Sequence, residues 1–167
     1  MLIESLVYPF EKTGCLDAFW GKLDAGQDAV LGVASSARPF MVAARFAYRP
    51  QPTLAVVAGE DAALSFARNV AAYLGEDRVL RFPERTDYPF EMKPQNAKKA
   101  AESAKLAARR MEAAYALHEG KDVVVVASAR ALLRMLPPAE SDVCVPLVFQ
   151  TGVEVADMPG ASKRGVD

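Results

Sequence analysis

The chain predicts an α/β domain: a doubly wound, mainly parallel sheet with helices on both faces, of the P-loop NTPase or RecA-like kind with a degenerate nucleotide loop. Three observations predict it. Short apolar runs at 29–34, 53–58, 78–82, 122–127 and 143–149 alternate with segments of helical periodicity. That order is the pattern of strand–helix units joined by right-handed crossovers. Asp122-Val-Val-Val-Val-Ala127 is an unbroken β-branched run, as expected where a parallel strand is buried on both faces. Finally, the first run leads into Gly32, and after four residues Ala37-Arg38-Pro39 stand where a phosphate loop carries Gly-Lys-Ser/Thr.

The elements follow in order. Leu16, Phe19, Trp20 and Leu23 recur at i, i+3, i+4 and i+7, one face of a helix with Trp20 as its packing anchor. Gly26 suits its end. Ala29 to Ala34 reads as a buried strand, and Pro39 sits in the first turn of a helix that runs to Tyr48. Arg49-Pro50-Gln51-Pro52 breaks that helix before a strand over Thr53 to Ala58. Glu60 and Asp61 open the next helix with acids at the positive end of its dipole. Ala63, Phe66, Ala67, Val70 and Leu74 form its inner face, and Gly75 closes it. Arg78 to Phe82 is a strand, and Pro83 to Phe90 is an ordered loop pinned by Phe82, Tyr88 and Phe90. A long helix spans Asn96 to His118. Its alanine-rich stripe (Ala97, Ala100, Ala101, Ala104, Ala108, Met111 and Tyr115) is expected to face inward, with Lys98, Glu102, Lys105, Arg109 and Glu112 opposite. A short helix over Ala129 to Leu136 stops at Pro137-Pro138, and Val143 to Phe149 is a last strand. The organisation is a helical lead-in over 1–28, the α/β domain over 29–150, and a linker or truncated start of a next unit over 151–167, where Gly152, Pro159, Gly160 and Gly165 gather.

Composition narrows the function. The 167 residues are 51% hydrophobic and 25% charged, with 20 Lys and Arg against 21 Asp and Glu. This balance suits one globular domain and gives no global drive toward nucleic acid or an acidic membrane. Two distant cysteines, Cys15 and Cys144, and the single His118 leave no metal-ligand spacing. The N-terminus lacks a secretory pattern and no apolar stretch approaches the ~20 residues of a membrane span, so a cytoplasmic protein with no membrane partner is expected.

The loop at Gly32, Ala37, Arg38 and Pro39 is the candidate site. An intact phosphate loop needs its second glycine for backbone N–H groups to wrap the phosphates, its lysine for the terminal phosphates and its hydroxyl for Mg²⁺. Ala37 adds a Cβ, Arg38 is forked, and Pro39 has neither hydroxyl nor N–H. Arg38 admits a reading as a surrogate phosphate-binding cation. It is better read as solvent-facing, since both neighbours are altered too. Lys98, Lys99, Lys105, Arg109 and Arg110 make the long helix locally basic, and Glu102 and Glu112 interrupt the patch. A solvated helix face is the reading favoured there over an interaction surface. No strand ends in the hydrophobic-Asp-Glu pattern that would hold a metal for nucleotide hydrolysis. No catalytic, cofactor-binding or metal-binding residue is therefore assigned.

Three segments together resemble one family. Leu31-Gly-Val-Ala-Ser-Ser-Ala-Arg38, Phe82-Pro-Glu-Arg-Thr-Asp-Tyr-Pro-Phe90 and Val123-Val-Val-Val-Ala-Ser-Ala-Arg-Ala-Leu-Leu-Arg-Met-Leu-Pro-Pro138 look like the N-terminal UvrB-like region of the bacterial transcription-repair coupling factor. UvrB itself keeps an intact Gly-Lys-Thr loop and a long damage-probing hairpin. Here only Glu91 to Gln95 separates Phe90 from the long helix. The resemblance implies a fold like the first domain of UvrB, and a non-catalytic scaffold module of a longer protein. In that parent an ATP- and Mg-dependent motor translocates on DNA, displaces stalled RNA polymerase and recruits UvrA in nucleotide excision repair. The UvrA-binding subdomain would begin near Val145 to Gly152, so the motor, UvrA and RNA-polymerase contacts fall on parts outside this chain. The alternatives are a small nucleotide-binding or NTPase domain using Arg38 in place of the loop lysine, and a free-standing interaction domain using the basic helix.

Overall fold

A computed structural model describes residues 2–85 and 97–133. It is an α/β arrangement around a three-stranded parallel sheet in the order β1-β3-β2, compatible with a doubly wound fold. The strands are β1 (Thr53–Val57), β2 (Val79–Phe82) and β3 (Val124–Ser128). The helices are α1 (Leu2–Thr13), α2 (Asp17–Asp24), α3 (Arg38–Tyr48), α4 (Glu60–Leu74), α5 (Ala97–His118) and α6 (Ala129–Leu132).

β3 is central and buried along its whole length, which is what its run of valines requires. Its side chains alternate between two cores. Val124 and Val126 join Phe46, Ala63, Val70 and Leu74 on the face covered by α4, with α1 and α3 packed beside it. Val123, Val125 and Ala127 join Phe82, Ala113, Ala116 and Ala131 on the opposite face, under α5 and α6. The inner face expected for α4 is the one observed. Its terminal glycine is needed by conformation: Gly75 has φ +96°, and a Cβ there would stand 2.7 Å from Asp77 Oδ1.

Trp20 is buried in α2, and Arg45 of α3 lies against it with the guanidinium 5.7 Å from its ring centre. Asp24 at the end of α2 accepts hydrogen bonds from Arg45 Nη2 at 2.6 Å and Arg49 Nη1 at 2.9 Å. The Trp20 ring and the Asp24 carboxylate thus fasten α2 to α3. α1, a helix within the expected lead-in, buries Ile3 and Val7 in the main core. Its Phe10 meets Phe40, which in turn meets Tyr73 edge-on.

Two expectations are corrected. Residues 29–34 are not a buried strand: they join no ladder among the described residues, and Val30 is 98% exposed. The run is apolar enough for a strand, but β1 and β2 both adjoin β3, and 29–34 takes no place beside either. Second, the alanine stripe of α5 does not face inward. Ala100, Ala101, Ala104 and Ala108 are exposed, while Met111 and Tyr115 are half-buried. The inner face runs through Ser103, Leu106, Arg110, Ala113 and Leu117. Alanine gains little from burial, so the orientation follows the bonds of Arg110 to the Pro83 and Ala131 carbonyls and its contact with Phe82. The helix expected over Ala129 to Leu136 is seen over Ala129–Leu132, with a turn at Leu133; residues 134–136, the expected strand Val143 to Phe149, the loop residues Tyr88 and Phe90 and the tail at 151–167 lie outside the described residues.

Candidate functional site

The loop singled out by sequence runs from α2 to α3. Gly26, at φ +69°, ends α2. Residues 27–34 follow without regular structure, and Ser35–Ala37 make one 3₁₀ turn into α3. Gly32 is exposed, its φ is not positive, and nothing lies within 4 Å of where its Cβ would stand. A glycine that lets backbone wrap a phosphate is there for a strained conformation or a close approach; Gly32 shows neither. Arg38 is exposed at the first position of α3, Ala37 is half-buried, and Pro39 is buried in the first turn. Ala37, Arg38 and Pro39 are consecutive, Gly32 stands five residues before them, and its backbone is neither left-handed nor closely approached as a phosphate cradle would need.

A second region is better built. In open α/β sheets, ligands bind outside the carboxyl ends of the strands, where neighbouring connections leave to opposite faces. β1 and β3 are such neighbours, since α4 follows β1 on one face and α6 follows β3 on the other. Glu60, Glu84, Arg81, Ser128 and Arg110 converge at this end of the sheet. Glu60, opening α4, accepts from Arg81 Nη2 and, at 3.2 Å, from the Glu84 backbone N–H. Glu84 accepts from Ser128 Oγ at 2.7 Å, and Ser128 Oγ accepts the Ala131 N–H at 3.1 Å, capping α6. Buried Arg110 donates from Nη1 to the carbonyls of Pro83, at 2.7 Å, and Ala131, at 3.3 Å. Its guanidinium lies 3.9 Å from the Phe82 ring centre, a cation–π contact strengthened by desolvation.

The chemistry of this edge is closed on itself. The positive end of the α4 dipole is met by Glu60 and Asp61 of the same chain, where an anionic ligand would otherwise sit. The two carboxylates that a cation would use are engaged by an arginine, a hydroxyl and a backbone N–H. Among the described residues there is no group of three or more His, Cys, Asp and Glu side chains able to share a metal. Sequence reading missed this network. It placed Arg110 on the solvated basic face, whereas Arg110 is buried; Lys99, Lys105 and Arg109 are exposed as expected. No local signal pointed to it, since the carbonyls that Arg110 reaches are 27 and 21 residues away. His118 and Cys15 are exposed.

A groove of about 850 Å³ runs beside β2, lined in part by Leu64, Ala67, Arg68, Leu80, Arg109 and Glu112. Its lining mixes both charge signs and singles out no ligand. Among the described residues no helix is long and apolar enough to cross a membrane. No protein family, curated protein or solved structure matches the chain.

Proposed function

We propose that this chain is a non-catalytic N-terminal scaffold module of a transcription-repair coupling factor. The carrying observation is the loop from Gly32 to Pro39. It has the order of a phosphate loop and lacks the groups that bind phosphate and Mg²⁺, and its one glycine is neither left-handed nor closely approached. Such a loop is expected of a nucleotide domain kept for its surface after its site decayed. The descent from a P-loop or RecA-like domain rests on residue order, together with the segments at 82–90 and 123–138, since among the described residues no laddered strand precedes Gly32.

In this reading ATP and Mg belong to the parent's motor, and DNA, UvrA and RNA polymerase are met by parts outside this chain. The module acts in the cytoplasm by packing against the rest of the parent. The closed polar edge supports a structural role for the domain. The direct test is the reading frame after the codon for Asp167. Several hundred further residues with an intact Gly-Lys-Ser/Thr motor motif are expected. A short free-standing protein whose ATP hydrolysis is abolished by Arg38→Ala would contradict the proposal and favour a small NTPase.

A further inference from the structure

The two edges of the described sheet differ. β1 and β2 are both edge strands, but the edge of β2 is recessed. α4 and α5 both pack on β2, and the groove of about 850 Å³ runs along it between them.

The ladder fixes what this edge offers. Thr53 N–H donates to Val123 O, so in the parallel pairing Val123, Val125 and Ala127 turn their backbone groups toward β1. Val124 and Val126 therefore turn theirs toward β2, where the register makes Leu80 and Phe82 their partners in hydrogen bonding. The backbone groups of Val79 and Arg81 point the opposite way, and both residues line the groove. The Val79 N–H is taken by the Glu76 carbonyl in the turn that enters β2. That leaves the Val79 carbonyl and both the N–H and the carbonyl of Arg81, which have no partner among the described residues.

Unpaired backbone along a strand edge is a template for one more strand. The walls give that strand its character. On the α4 side Leu64, Ala67 and Ala71 are apolar and mostly small, which leaves room for apolar side chains. On the α5 side Arg109 and Glu112 are exposed one turn apart, and their charges cancel. Successive side chains of an added strand face the two walls in turn, so a segment in which apolar and polar residues alternate fits both. A second copy of the chain cannot reach the floor, because its own β2 lies between the same two walls and its β1 carries α4 on one face.

We propose that this groove binds an extended segment of another protein, about four residues long like β2, with apolar and polar side chains alternating, by adding it as a strand to the edge of β2. The inference concerns the groove alone and does not depend on the parentage of the chain.

The probe is the capped peptide Thr-Val-Lys-Val-Glu-Val-Thr, added to the full chain while amide hydrogen exchange is followed. At about 1 mM peptide the Arg81 amide is expected to exchange at least about tenfold more slowly than in the free chain. Val79, already bonded to Glu76, and Leu80, bonded to β3, are expected to keep their rates. Two N-methylated forms of the peptide, one methylated on the valines and one on the residues between them, sharpen the test. Only one alternate set of N–H groups can face β2, so one form is expected to lose the effect and the other to retain it. Ala72→Trp fills the groove from an exposed position and is expected to abolish the effect while Val125 and Val126 in β3 stay protected. An unchanged Arg81 rate, slowing at Leu54 and Val56 on the edge of β1 instead, or equal loss with both methylated forms would overturn the proposal. Slow exchange of Arg81 in the free chain would also overturn it, with a second copy in the groove if the protection grows with protein concentration and this chain itself there if it does not.

Discussion

The loop at 29–39 and the carboxyl edge of the sheet make opposite use of similar raw material. The loop has the order of a binding motif, and the structure leaves it exposed, with a glycine that needs no freedom and an arginine at a helix start facing solvent. The edge has no recognisable motif. There a serine, two glutamates and two arginines from four separate stretches meet, with their polar groups engaged by one another and by neighbouring backbone. Buried polar groups are costly unless paired, so the edge is fixed by energetics, whereas the loop is free to drift. In this domain a motif-like order comes without a built site, and burial with satisfied partners marks what the fold depends on.

The largest effect should come from Arg110. Replacing it by Leu leaves the Pro83 and Ala131 carbonyls without their buried donor and removes the contact with Phe82, and should cost about 3 kcal/mol in urea unfolding. The neighbouring exposed Arg109→Ala should stay within about 0.5 kcal/mol. Equal effects for the two would erase the distinction between edge and surface. Ser128→Ala removes both the α6 cap and the donor to Glu84. A smaller loss of about 1–2 kcal/mol is expected, with slower folding only if α6 forms early.

The root of the loop offers a finer test. Hydrogen bonds from Arg49 and Arg45, with their positive charges, hold the Asp24 carboxyl below its ordinary value near 3.8. A carboxylate lowered in the folded state contributes stability that is present above its unfolded value and is lost as pH falls through the folded one. Acid titration of stability should therefore show a component, at and below pH 3.8, that Asp24→Asn removes. A variant with an unchanged acid limb would show that this ion pair does not tether α2 to α3. The smallest effect is expected at the loop itself, where Arg38→Ala should change stability by less than about 0.5 kcal/mol.

Much of the architecture was legible in sequence because its signals are local. The valine run of β3, the acid start and Gly75 end of α4, and Pro39 in the first turn of α3 each state their own structure. The run at 29–34 was misleading because apolarity alone does not provide a neighbouring strand to pair with. The alanine stripe of α5 misled for a related reason: alanine is nearly indifferent to burial, while Arg110, charged and therefore assigned outward, turns inward for partners that are 27 and 21 residues away. The whole polar edge was hidden for this reason. Its members come together only through the crossovers, and no spacing between Glu60, Glu84, Arg110 and Ser128 announces them.

The central claim is that the Gly32–Pro39 loop has the order of a phosphate loop without its function. Calorimetric titration of the chain with ATP and Mg²⁺ measures this directly. No binding heat is expected at nucleotide concentrations up to about 1 mM, where even an affinity of −4.1 kcal/mol would register, and Arg38→Ala should give the same trace. Micromolar, Mg²⁺-dependent binding that Arg38→Ala abolishes would contradict it.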